Sequence, residues 1–275
     1  MTSSAHALSS VLAVESDPGG GFVAPSIAEF YPPSLFEFSV FGLDFSITRI
    51  TVIMWIATAA ILAFMVLATR KPTIVPRKAQ WLMESGYGLV RDGIARDVIG
   101  PKGRTFAPFL GALFFFILAN NAMSIIPFFQ ISPMSKFAIP LVLAVLVWIL
   151  YNAVGIREQG VGPYFKGIAV PPGVPVGALI LVTPIELLST LVIRPFTLAV
   201  RLFANLFAGH MLLVVFSLGT VYLLQVGNFS IIFAPFSFLM ALAMTFFEVL
   251  VIVLQAYVFT VLTATYLNGA VEPHH

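Results

Sequence analysis

The chain of 275 residues is 59% hydrophobic and only 9% charged, with a formal net charge of +2 and a pI near 9.0. Soluble domains carry about a quarter of their residues as charges, so this chain needs lipid as its solvent. Its basic residues flank apolar runs instead of forming a dense patch, which excludes nucleic acid as the partner, and the lack of cysteine excludes disulfide frameworks, Cys-ligated metal sites and thiol nucleophiles.

Residues 1–45 are rich in Ser, Gly and Pro (Asp17-Pro18-Gly19-Gly20-Gly21, Tyr31-Pro32-Pro33) and lack a basic n-region or a clear cleavage site. They read as a flexible extracytoplasmic leader. Residues 46–270 read as one membrane domain. Its first span, 47–69, is closed by Arg70-Lys71-Pro72 and holds about 23 residues, enough to cross a core of about 30 Å as a helix.

Over 77–99 the chemistry changes. Met83, Tyr87, Val90, Ile94 and Val98 recur at helical spacing, while Arg77, Lys78, Glu84, Arg91, Asp92 and Arg96 take other faces. The pattern fits an amphipathic helix on the membrane surface with Trp81 at headgroup depth, or one docked on another subunit. Two more apolar spans follow, 106–128 and 137–156, joined by a short loop at Ser132-Pro133 and closed by Arg157-Glu158. They are expected to form an antiparallel hairpin.

The last third is longer than a membrane requires. Apolar stretches over 176–226 and 229–267 hold roughly 50 and 39 residues, against about 20 for an upright span. Either each helix is strongly tilted or the first hides a turn, with Pro184 and Pro195 as candidate kinks. Gly227-Asn228 is the clearest break, and Asn268-Gly269 a natural C-cap. The expected fold is therefore an all-α integral membrane protein: about five crossing helices plus one surface helix, the last two long and tilted as a hairpin.

Lys and Arg positions set the orientation. Arg70, Lys71, Arg77, Lys78, Arg91, Arg96, Lys102, Arg104, Arg157 and Lys166 fall on one side, and only Arg49 and Lys136 on the other. This puts the N-terminus outside and the 271–275 tail in the cytoplasm.

Of the 14 basic residues, Arg194 and Arg201 are left over inside apolar sequence. An arginine at bilayer depth costs at least about 2.5 to 3.5 kcal/mol, so it persists only against protein or water. Arg194, before Pro195, is placed to snorkel to the cytoplasmic boundary; Arg201 reads as functional. Glu186, Asn205, His210, Glu248 and Gln255 share the same two segments. At about 100° per residue Asn205 lies near the face of Arg201, whereas His210 lies opposite. If Gly227-Asn228 turns a helical hairpin, residues equidistant from it lie level. This pairs Arg201 with Gln255, and His210 with Glu248 nearer the outer surface. A His/Glu pair in lipid reads as a proton relay.

The run Arg194-Pro195-Phe196-Thr197-Leu198-Ala199-Val200-Arg201-Leu202-Phe203-Ala204-Asn205-Leu206-Phe207-Ala208-Gly209-His210 closely resembles the signature of the ATP synthase a subunit. Glu248 with Gln255-Ala256-Tyr257-Val258-Phe259 resembles that family's last-helix signature. The resemblance covers roughly 35–270, and the His210/Glu248 arrangement matches one family variant, since some bacterial members exchange the acid and the histidine. It implies the proton-translocating stator subunit of a rotary F-type ATP synthase in a bacterial inner (plasma) membrane. The two long helices would wrap a ring of c subunits beside two half-channels that never meet. Arg201 would face the ring carboxylate with Gln255 level with it, His210, Glu248 and Asn205 would line the outer half-channel, and Glu186 would lie nearer the cytoplasmic one. Further implied partners are the b-subunit peripheral stalk, the F1 head and membrane lipid. No cofactor, metal site or catalytic residue is expected, and without a Gly-x-x-x-x-Gly-Lys loop nucleotide chemistry belongs to partner subunits. A secondary transporter would show duplicated halves with paired broken helices, and a scaffold would not need Arg201, His210 and Glu248 in lipid.

Overall fold

The computed structural model describes residues 22, 34–40, 43–70, 73–127, 129–170, 176–226 and 229–271. The expected tail, the Gly227-Asn228 turn and most of the expected leader lie outside these residues. In lipid each backbone N–H and C=O must be satisfied within its own segment, so long apolar runs become helices. The helices are α1 (Arg49–Thr69), α2 (Lys78–Val90), α3 (Gly103–Ala122), α4 (Ala138–Gln159), α5 (Val161–Ala169), α6 (Val176–Leu188), α7 (Arg194–Val226) and α8 (Ala234–Val271). Five helical stretches are long and apolar enough to cross a membrane: Arg49–Thr69, Lys78–Ala122, Ala138–Gln159, Gly177–Val226 and Phe229–Val271. The chain is an all-α integral membrane protein.

One small sheet accompanies the helices. Ser34–Val40 (β1) and Leu43–Thr48 (β2) pair antiparallel, with Phe38 opposite Phe45 and Val40 opposite Leu43. The cause is a period-2 alternation, Phe36-x-Phe38-x-Val40 and Leu43-x-Phe45-x-Ile47. It is short and follows a Pro- and Gly-rich stretch, which masked it in the sequence reading.

The structure falls into two compact units, one comprising Met1–Pro32 and Ala208–Glu248 and the other Pro33–Phe207 and Val249–His275. The second holds the main core. There the apolar face expected for 77–99 is covered by the chain itself. Met83, Val90 and Ile94 are buried, and Tyr87 and Val98 pack against the same core cluster, which also holds Leu110, Phe114 and Phe115. Trp81 is exposed. Gly100, at φ 77°, breaks this arm from α3 in the left-handed region that glycine enters without strain. The α3/α4 hairpin is antiparallel as expected. At one end Lys102 Nζ meets Glu158 Oε2 at 2.8 Å; at the other Ser132 Oγ donates to the Asn120 carbonyl at 3.3 Å. Arg49 reaches the Phe129 carbonyl at that second end, at 3.4 Å.

Past Gly160, at φ 84°, the chain re-enters a short helix, α5, that the sequence reading did not anticipate. The stretch 176–226 contains no hidden hairpin turn. It is helical throughout, interrupted only by a π turn, Ser189–Ile193. A helix rises about 1.5 Å per residue, so neither this stretch nor α8 can stand upright in a core of about 30 Å.

Candidate functional site

In the larger unit, α4, α5, α6, α7 and α8 line a cavity of about 310 Å³ whose polar lining includes Tyr151, Gln159, Tyr164, Glu186, Arg194 and Tyr266. Arg194, expected to snorkel to the cytoplasmic boundary, has its Nη2 3.2 Å from Glu186 Oε1. Its guanidinium also sits over the Tyr266 ring, 5.8 Å from the centroid, a cation–π distance. Tyr151 donates its hydroxyl to the Thr190 carbonyl at 2.8 Å, Tyr164 to Asn152 Oδ1 at 3.0 Å, and Gln159 Nε2 to the Ala270 carbonyl at 2.9 Å. Burial pushes the Tyr164 phenol up from its ordinary value, while the Arg194 charge pulls the other way. The phenol therefore remains a proton-bearing donor. Gly155 makes room for it, because a Cβ there would overlap the Tyr164 ring.

Further along α7 lies Arg201. It is exposed on the helix surface, and among the described residues it makes no hydrogen bond or ion pair. Gln255 was expected level with Arg201, but its Oε1 accepts from Asn205 Nδ2, at 2.9 Å, one helical turn beyond the arginine. Its Nε2 is buried and finds no partner among the described residues. Arg194 over Tyr266 and Asn205 with Gln255 are each offset by somewhat more than one helical turn, at about 3.6 residues per turn, from positions equidistant about Gly227-Asn228, so the register in this unit is shifted from the one assumed from sequence.

His210 and Glu248 belong to the other unit, where both are buried, at 8% and 3% exposure. There the assumed register is met more closely. Ser237 Oγ donates to the Phe216 carbonyl at 2.9 Å, and Gly219 lies against the same Ser237 hydroxyl. The residues that sequence reasoning missed are Tyr151, Gln159, Tyr164 and Tyr266. Their signal was uncharged polarity inside or just beyond apolar spans, weaker than a charge because a hydroxyl or amide is cheaper to bury than an ion.

Comparison with known proteins decides the family. Residues 51–268 match the family model described as ATP synthase A chain. The chain belongs to the ATP synthase A chain family. Relatives named ATP synthase subunit a include that of Parafrankia sp. (strain EAN1pec), 47% identical over 255 residues, covering 92% of this chain and 86% of the relative. That of Rhodococcus erythropolis (strain PR4 / NBRC 100887) is 44% identical, covering 91% of each chain. That of Streptomyces lividans is 38% identical, covering 96% and 95%. All six residues singled out from the sequence, Glu186, Arg201, Asn205, His210, Glu248 and Gln255, lie within the range matched by the ATP synthase A chain model.

Proposed function

We propose that the chain is the proton-translocating stator subunit of a rotary F-type ATP synthase, with Arg201 as the fixed charge that discharges a carboxylate on a rotating c ring. The observation that carries this reading is Arg201 itself, exposed within a 50-residue apolar helix and unpartnered among the described residues. A guanidinium in hydrocarbon must find an anion or water, so its counter-charge comes from another chain. Thr197, Ala204 and Asn205 share its exposed face, and small side chains let a partner helix approach closely.

The chemistry follows from electrostatics. A ring carboxylate can face lipid only when neutral, because burial disfavours its charged form. Opposite Arg201 the ionised form is favoured, and the proton departs through one half-channel. The next carboxylate reloads from the other half-channel and returns to lipid. The guanidinium suits this role because it does not give up its proton, and its fixed charge bars a direct leak between the channels. Each proton contributes about 2.3 kcal/mol per 100 mV of membrane potential.

His210, Glu248 and Asn205 line the outer half-channel, Gln255 orients Asn205 next to Arg201, and Glu186 opens to the cytoplasmic side. The N-terminus lies outside and the C-terminus in the cytoplasm of a bacterial plasma membrane. The subunit catalyses no reaction alone; the F1 head holds the nucleotide chemistry and a b-subunit stalk links the two. The test is passive proton flux through reconstituted membrane sectors prepared with and without this chain. Flux that requires the chain supports the reading, and equal flux from the ring and stalk without it overturns it.

A further inference from the structure

Glu186 and Arg194 are eight residues apart, yet their side chains meet at 3.2 Å. In an uninterrupted α-helix, at about 100° per residue, eight positions leave side chains about 80° apart. The π turn Ser189–Ile193 between them resolves the mismatch. Arg194 N–H donates to the Ser189 carbonyl, an i→i+5 bond that takes one more residue per turn than an α-helix. With one residue absorbed, Glu186 and Arg194 behave as if seven apart, within about 20° of one face. Arg201 is seven residues beyond Arg194 and falls within about 20° of it in turn. The two cations and the carboxylate therefore share one stripe, from the polar cavity to the unpartnered arginine. The turn is also tied from outside, since Tyr151 on α4 donates its buried hydroxyl to the carbonyl of Thr190 inside it.

We propose that the π turn is the device that aligns Glu186 and Arg194 with Arg201, and that Tyr151 is the positioning residue that holds it. The inference rests on the proton path proposed above and adds a residue to it. Glu186 is the proton-carrying group of the cavity, Arg194 compensates its charge, and Tyr164 and Tyr266 are the other titratable groups lining the space. Were the turn to slip by one residue, Glu186 would rotate by about 100° away from the stripe.

The test uses ATP-driven proton pumping by the assembled complex in inverted membrane vesicles, with subunit content measured alongside. Tyr151→Phe removes the tether and keeps the ring. It is expected to lower pumping about five-fold, the factor one neutral hydrogen bond is worth. Deleting Leu191 removes the extra residue, so the turn relaxes to α-helix with Glu186 and Arg194 truly seven apart. This chain is expected to pump close to the wild-type rate, and Tyr151→Phe added to it is expected to cost nothing further. A purely structural tyrosine would lose the same factor in both backgrounds. That result overturns the proposal, as would wild-type pumping by Tyr151→Phe, or a deletion chain that fails to pump or to accumulate. Arg201→Ala in the same vesicles separates the two claims. If it pumps, the proton path fails; if it is silent while Tyr151→Phe pumps normally, only the alignment fails.

Discussion

The polar side chains of this protein divide into those that are satisfied internally and those that await something else. Glu186 is paired with Arg194, and Gln255 Oε1 accepts from Asn205 while its Nε2 finds no partner among the described residues; Arg201 is not paired among the described residues. His210 and Glu248 are each buried in the same unit, and the proposed relay requires them to act as a pair. Removing either is expected to impair conduction, and removing both is expected to cost less than the sum, since members of one network are not additive. Exchanging them, His210→Glu with Glu248→His, is expected to retain more flux than either single change, because each single change sets like groups side by side and shifts their titration. Passive flux through the membrane sector across pH decides it; strict additivity with no rescue would dissolve the pair. Gly155→Ala drives a methyl into the Tyr164 ring, and overpacking of this kind costs about 1 to 3 kcal/mol. A lowered thermal unfolding midpoint of the detergent-solubilised chain is the expected reading, and an unchanged midpoint would mean that Tyr164 swings aside freely.

Among the elements, the long helices were the most legible in the sequence. Runs such as 176–226 exceed any upright span, while the equidistance rule about Gly227-Asn228 set Gln255 level with Arg201, where the structure pairs it with Asn205, one turn further along. What the sequence left open was whether Pro184 or Pro195 breaks the first run. Pro184 sits inside α6, whereas Pro195 follows directly on the π turn Ser189–Ile193 and has no N–H to donate to the Leu191 carbonyl within it, so the irregularity lies where that proline stands. The β1/β2 pair and α5 were missed for a separate reason: segments of six to nine residues carry too few periods to stand out from their surroundings. At the site, charge exposed Glu186, Arg194 and Arg201 to sequence reasoning, while the tyrosines that frame them passed as ordinary core aromatics. The hairpin register can be checked chemically, because the chain has no cysteine of its own and introduced thiols are unique. Cysteines at 205 and 255 are expected to react with graded-permeability thiol reagents to equal extents. Those at 210 and 248 are expected to match each other and to react from the outer side. Reaction of position 210 only from the cytoplasmic side would invert the topology.

At the scale of the whole molecule, the chain does not cover itself. Ile180, Leu181, Phe236, Phe246, Leu250 and Val253 are all exposed large apolar side chains on the last helical stretches, and a surface of this kind requires lipid or a partner chain. The family places the protein in a multisubunit ATP synthase, and an exposed arginine among such residues fits an interface with another chain of that complex. Arginine with its stabilising partners in another chain leads to a specific expectation, since its removal leaves the fold of this chain intact while silencing the machine. The most direct measurement is ATP-driven proton uptake by inverted vesicles carrying Arg201→Ala, with the amount of assembled complex determined in the same preparation. Normal assembly with no uptake is expected; uptake near the wild-type rate from a normally assembled complex would overturn the role given to Arg201.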